Sequence, residues 1–224
     1  MPTVFPRLFS LMPRRHPSAF LLAAQLLSLV LYPSMDNTQG GRLLFGAVAL
    51  VVIPLTVLVV NRSRSVTKIA WALAVPAIAL TVMGVLTGHA RLFRWSASLE
   101  ALLYFYAAGS LIHYMLRDLL VTADELFAAG AAFTLLAWGF AYAYFACQAW
   151  VPGSFTGLEP ERARSWVELL SMSFSNLSAT GSGDVIAVGP VARVLVMLEQ
   201  FAGVGYIAAV VSRLIGLTLA SHAR

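Results

Sequence analysis

The chain has 224 residues, 59% hydrophobic and 11% charged, with a mean hydropathy of +0.81, which excludes a water-soluble globular domain and describes an integral membrane protein. A net charge of +5 would suit a nucleic-acid binder, but the arginines stand singly or in pairs at segment ends, where they report membrane orientation. The single cysteine, Cys147, excludes an internal disulfide, and no metal-ligand spacing, phosphate loop or redox pair occurs.

From the N-terminus, MPTVFPRLFSLMPRRHPSAF leads into an apolar stretch that runs on to YPSMDN without a small-residue cleavage pattern, which reads as an uncleaved first span. A hydrocarbon core of about 30 Å takes roughly 20 helical residues. Six segments meet that length, at 17–33, 43–60, 69–88, 97–116, 122–150 and 190–218, divided by clusters such as Asn61-Arg62-Ser63-Arg64 and Gly88-His89-Ala90-Arg91. The fifth opens on a capping box at Thr122-Ala123-Asp124-Glu125 and stops at Val151-Pro152-Gly153. With an even number of spans and the N-terminus inside, nine Lys and Arg fall on the inner side and six on the outer. Both termini are therefore expected in the cytoplasm of a cell whose inner (plasma) membrane the chain crosses. Arg91 and Arg94 sit at the outer end of the fourth span, with no further arginine until Arg117. That pattern lacks the regular arginine ladder of a voltage sensor, so residues 1–120 are expected to form a four-helix scaffold, apart from a second module at 121–224.

Residues 161–178, ERARSWVELLSMSFSNLS, form an expected helix too short and too serine-rich to cross the bilayer. It is followed by Ser178-Ala179-Thr180-Gly181-Ser182-Gly183-Asp184-Val185, an irregular stretch between two long apolar segments. Irregular backbone at membrane depth must be buried in protein or line a wet cavity, so the pair reads as a re-entrant helix and loop. Glycines at 181 and 183 allow positive φ, which can turn successive carbonyls to one side, where they can replace the hydration shell of a cation. The C-terminus of the short helix adds about half a negative charge pointing toward the membrane centre. One loop cannot encircle an ion, so this reading requires a symmetric assembly, most commonly of four copies.

The run Ser171 to Leu217, with Ala179, Thr180, Gly181, Ser182, Gly183 and Asp184 followed by Pro190 and Arg193, resembles the pore module of bacterial tetrameric cation channels related to potassium channels. The resemblance implies an all-α integral membrane fold of six transmembrane helices plus a re-entrant pore helix and filter loop, assembled as a homotetramer in the lipid bilayer. It also implies a filter at 179–184 that holds a permeant monovalent cation, such as potassium, at the carbonyls of Ala179, Thr180, Gly181 and Ser182. Pore-helix support would come from Ser171, Met172, Ser175, Asn176 and Ser178. The chain departs from the family's TVGYGD pattern at Ala179, which lacks the threonine hydroxyl, and at Ser182, which replaces the aromatic residue. The family's bracing tryptophans would fall at Ser171 and Met172, which cannot make that contact. The expected activity is thus passage of potassium, or weakly selective passage of potassium and sodium, with no other cofactor, nucleic acid or soluble protein partner.

Several residues keep two readings. Asp184 would form a carboxylate ring at the outer mouth, or would hydrogen-bond its own loop or the short helix. Glu199 lies about nine residues, or roughly 14 Å, into the last span, either as a pore-lining charge or packed behind the filter against the short helix. Gly203 would serve as an inner-helix hinge or as a close-packing position, and Arg213 as a snorkelling anchor. Two other classes remain open: an intramembrane serine protease using Ser182 with His89, His113 or His222 as base, and a secondary transporter with one broken helix.

Overall fold

The computed structural model describes residues 17–31, 64–117, 123–181 and 183–222. The expected span at 43–60, the capping residue Thr122 and Ser182 lie outside the described residues. Within them the order is α1 (Pro17–Leu31), α2 (Arg64–Thr87), α3 (Ala90–Arg117), α4 (Ala123–Trp150), β1 (Phe155–Thr156), α5 (Trp166–Leu177), β2 (Ile186–Ala187) and α6 (Pro190–His222). Among the described residues four helices, α2, α3, α4 and α6, are long and apolar enough to cross a membrane, and α1 is a shorter apolar helix. This architecture fits an all-α membrane protein.

The connection between α2 and α3 is tighter than expected. Gly88, at φ +69°, ends α2 with its N–H on the Gly84 carbonyl at 2.9 Å, and α3 starts at Ala90 in place of residue 97. Arg94 is accommodated inside the helix because its guanidinium lies 5.2 Å over the Trp150 ring. Trp95 packs edge-on against the same ring at 5.0 Å, so amphipathic rings gather at this end of the bundle.

Helix α4 organises the rest because its two faces serve different neighbours. Ala128, Ala131, Ala132, Leu135, Trp138 and Ala141 form a buried stripe at helical spacing against Leu21 of α1 and Tyr104, Ala108 and Leu111 of α3. Small residues let the helix backbones approach closely, which supplies association energy where water is absent. The other face, Ala137, Phe140, Tyr144 and Cys147, packs on Phe155, Leu169, Met172, Leu177 and Ala192.

Polar groups at depth find partners within this frame. Glu100 on α3, buried to 3% exposure, accepts bonds from Thr81 and Ser96, both at 2.9 Å. At the opposite end from Trp150, the first turn of α4 grips both chain-distant helices. Asp124 accepts from the N–H and hydroxyl of Ser18 at 3.1 Å, capping α1, and Glu125 pairs with Arg213 of α6 at 3.3 Å. Arg213 is therefore an ion-pair partner, with its side chain only 13% exposed, rather than a snorkelling anchor. Because Glu125 is only 4% exposed, breaking this pair is costly, and R213A or E125A should each destabilise by roughly 3 kcal/mol. The double variant should cost clearly less than the sum when unfolding in detergent is followed as a double-mutant cycle.

Candidate functional site

Helix α5 is fixed at both ends by its own sequence. Its start is a capping box in which the Ser165 hydroxyl accepts from the Glu168 N–H at 3.3 Å and Glu168 accepts from the Ser165 N–H at 2.7 Å. The helix accordingly begins at Trp166 and not at 161. Burial pushes the Glu168 carboxyl up, but bonds from Ser165 and the Arg162 guanidinium at 2.8 Å outweigh it and hold the carboxyl below its ordinary range. Just before the cap, the Gln148 side chain clasps the backbone of Arg164, donating to its carbonyl at 2.9 Å and accepting from its N–H at 2.7 Å.

The C-terminal end of α5 is a Schellman turn. Thr180 donates its N–H to the Ser175 carbonyl at 3.0 Å, and Ala179 donates to Asn176 at 3.1 Å. The residue between cap and return, Ala179, takes φ +58°, a left-handed conformation that glycine normally fills. Gly181 follows at φ +68°. The Ser178 hydroxyl donates to the Phe174 carbonyl at 2.7 Å and contacts the Thr180 hydroxyl at 3.1 Å. The chain then runs exposed through Ala179, Thr180, Gly181, Gly183 and Asp184.

A two-residue antiparallel bridge that the sequence did not announce pins the far side of this turn. Phe155 pairs with Ala187 and Thr156 with Ile186, and the N–H groups of Val188 and Gly189 donate to the Ser154 carbonyl at 3.0 and 3.1 Å. Gly157 supports the bridge through its lack of a side chain. A Cβ there would lie 2.6 Å from the Arg164 guanidinium and 2.9 Å from the Asp184 carbonyl, so the buried Arg164 cation sits close to where the turn leads into the bridge. Arg193 in the first turn of α6 donates back to the Ala187 carbonyl at 3.3 Å.

The residues expected to support the turn divide by face. Met172 is buried against α4 and Ser171 is exposed. Ser175 is buried and offers its carbonyl to Thr180. The amide nitrogen of Asn176 is buried without a hydrogen-bond partner among the described residues. An open crevice of about 490 Å³, lined by Ser175, Asn176, Gly181, Gly183, Arg193 and Met197 among others, runs beside the turn.

On α6, Glu199, Gly203 and Tyr206 share one face, and that face packs on α4 and α5 of the same chain. Glu199 is fully buried, bonded by the Tyr144 hydroxyl of α4 and the Ser173 hydroxyl of α5. Tyr206 donates to the Ala129 carbonyl of α4. A Cβ on Gly203 would fall 2.1 Å from the Leu177 carbonyl oxygen and 2.8 Å from its carbon, so this glycine is where α6 touches the backbone end of α5. The remaining faces of α6 are exposed, from Val194 and Met197 through Phe201 at 82% to Val211.

A helix that enters between two spanning helices and turns back through left-handed backbone is a pore-loop arrangement. Residues 130–219 match a family model described as an ion channel. The match takes in most of α4, all of α5, the turn and nearly all of α6, and supports ion-channel function for a module that is not an enzyme. No curated protein and no solved structure matches the chain.

Sequence reasoning passed over Glu100, Arg164 with Gln148, and the pairing of Glu125 with Arg213. Only the Ser165-x-x-Glu168 box carried a local signal that could have placed the start of α5.

Two substitutions probe this geometry. G203A forces a methyl group against immovable backbone and should destabilise by about 3 kcal/mol, the upper part of the range for overpacking. A179G relieves a left-handed cost of about 1–2 kcal/mol against a glycine entropy cost of about 0.5–1 kcal/mol, so a small net gain is expected in the same unfolding measurement.

Proposed function

We propose that the protein is a homotetrameric channel for monovalent cations, with residues 179–184 of four copies forming the filter. The observation that carries this reading is the exposed turn at the end of α5, left-handed at Ala179 and again at Gly181, between two helices long enough to span a membrane. Left-handed residues turn neighbouring carbonyls toward a common side, and carbonyls so arranged can stand in for water around an ion. The C-terminal end of α5 adds the negative pole of its backbone dipole at the same place.

What one copy leaves open supports the assembly. Only about 11% of the 18-residue apolar window of α6 is buried, although this is the helix that follows the filter. One exposed face would line the ion path, and another would pack on the neighbouring copy. Asp184, exposed beyond Gly183, would then ring the outer mouth with carboxylates. Ala179 provides no hydroxyl for an innermost site and Ser182 no aromatic brace, so potassium and sodium would be less sharply distinguished than in the potassium-channel filters the sequence resembles. This reading puts the turn and the Trp95–Trp150 end outside and both termini in the cytoplasm of the cell whose plasma membrane holds the channel.

The experiment is cation flux from liposomes containing purified protein, with oligomeric mass measured on the same preparation. Four-copy particles should pass potassium, with sodium passing measurably. G181A, which puts a methyl group on a φ of +68°, should cut the flux. Monomeric particles that pass neither ion under any gradient would remove the proposal.

A further inference from the structure

The grip of α6 on α5 repeats after one helical turn. Glu199 meets Ser173 and Gly203 meets Leu177, each pair of positions four residues apart. The upper of these two contacts contains an ionisable group, and its hydrogen-bond geometry can be counted.

Three polar side chains face the Glu199 carboxyl: Tyr144 from α4, and Ser173 and Asn176 from α5. No cation of the described residues pairs with it. Tyr144 brings one proton to Oε2. The Asn176 amide nitrogen lies near the carboxyl but outside hydrogen-bond geometry among the described residues. Ser173 has one proton, yet its Oγ lies within bonding distance of two oxygens, Glu199 Oε1 and the Ala137 carbonyl of α4 at 2.8 Å. If Glu199 were a carboxylate, one of those two contacts would set bare acceptors against each other. A fully buried carboxylate answered only by neutral groups would also carry a large desolvation cost.

We propose that Glu199 is the neutral acid and donates its proton from Oε1 to Ser173 Oγ, which passes its own proton to the Ala137 carbonyl. Every proton then has an acceptor along one directed chain, Tyr144 to Glu199 to Ser173 to Ala137, which joins α6, α5 and α4. Glu199 is thus a positioning residue. It acts through α5 on the turn at 178–184, and its consequence for ion passage rests on the channel reading above. What the joint needs is a donor and an acceptor at the reach of a glutamate, not a negative charge.

The test compares native protein with E199Q, E199D and E199A by infrared difference spectroscopy, thermal unfolding in detergent and liposome flux. A protonated carboxylic C=O band should be present in native protein and missing from E199Q, whose amide can still accept from Tyr144 and donate to Ser173. E199Q should unfold within roughly 2 °C of native, whereas E199A and the shorter E199D should fall by roughly 5–10 °C. Flux should survive in E199Q and be lost in E199D, although E199D keeps the acid. A carboxylate band in place of the acid band, or E199Q unfolding as early as E199A, would overturn the proposal. If native protein passes no cation while the acid band and the E199Q rescue hold, the channel reading fails and the proton assignment stands.

Discussion

The close packing of Gly203 on the Leu177 carbonyl sets where the short helix can end, and the position of that end decides where the turn begins. Helix α5 is only 12 residues long and cannot span the bilayer, so it is held by neighbours rather than by its own length. Its first turn is closed by the Ser165 and Glu168 box, its side by Ala137, Phe140 and Tyr144 of α4, and its last turn by α6. A helix dipole aimed at a fixed point is useful only if the helix cannot slide along its axis. Backbone-to-backbone contact at Gly203 is the least compressible way to prevent that, because no side chain lies between to change rotamer.

The same logic explains the polar groups inside the apolar frame. Without water, a buried donor or acceptor is costly unless protein answers it. Glu100 is answered by two hydroxyls from α2 and α3, and Glu199 by hydroxyls from α4 and α5. In each case the partners come from different helices, so satisfying the acid also fixes the helices against each other. Such joints are directional where the surrounding Ala, Leu and Val contacts are not. The alanine stripe of α4 supplies proximity, and the buried acids supply register.

What could be read from the sequence followed from length and composition, and what could not be read depended on contacts between distant residues. The long apolar runs placed α4 and α6 closely, and Pro152-Gly153 marked the end of α4 because Gly153 takes a φ of +78°. The start of α3 was missed because Arg91 and Arg94 look like a connection until Trp150, more than fifty residues on, is seen to cover Arg94. The left-handed Ala179 was invisible because glycine is the usual residue at that cap, and the eye goes to Gly181. Glu199 could be placed at mid-membrane by counting residues, but its partners Tyr144 and Ser173 are 55 and 26 residues away, and only the packing of three helices brings them together. For the same reason Arg213 looked like a lone anchor until Glu125 was found beside it.

The two ends of α6 are tied differently, and that asymmetry bears on how the proposed channel would work. Near its start α6 is bound through Arg193 to Ala187 and through Glu199 and Gly203 to α5, all close to the turn. Beyond Tyr206 it meets the scaffold through side chains, Val210 on the core and Arg213 on Glu125, with Ile207, Val211 and Ile215 exposed. Movement of the distal half therefore need not disturb the grip on α5, since Gly203 marks the last backbone contact between them. A hinge at Gly203 itself would have to break that contact and would carry the short helix with it. Under the channel reading, any bending of α6 is better placed after Tyr206, where side-chain contacts, rather than a packed backbone, hold the helix to its scaffold.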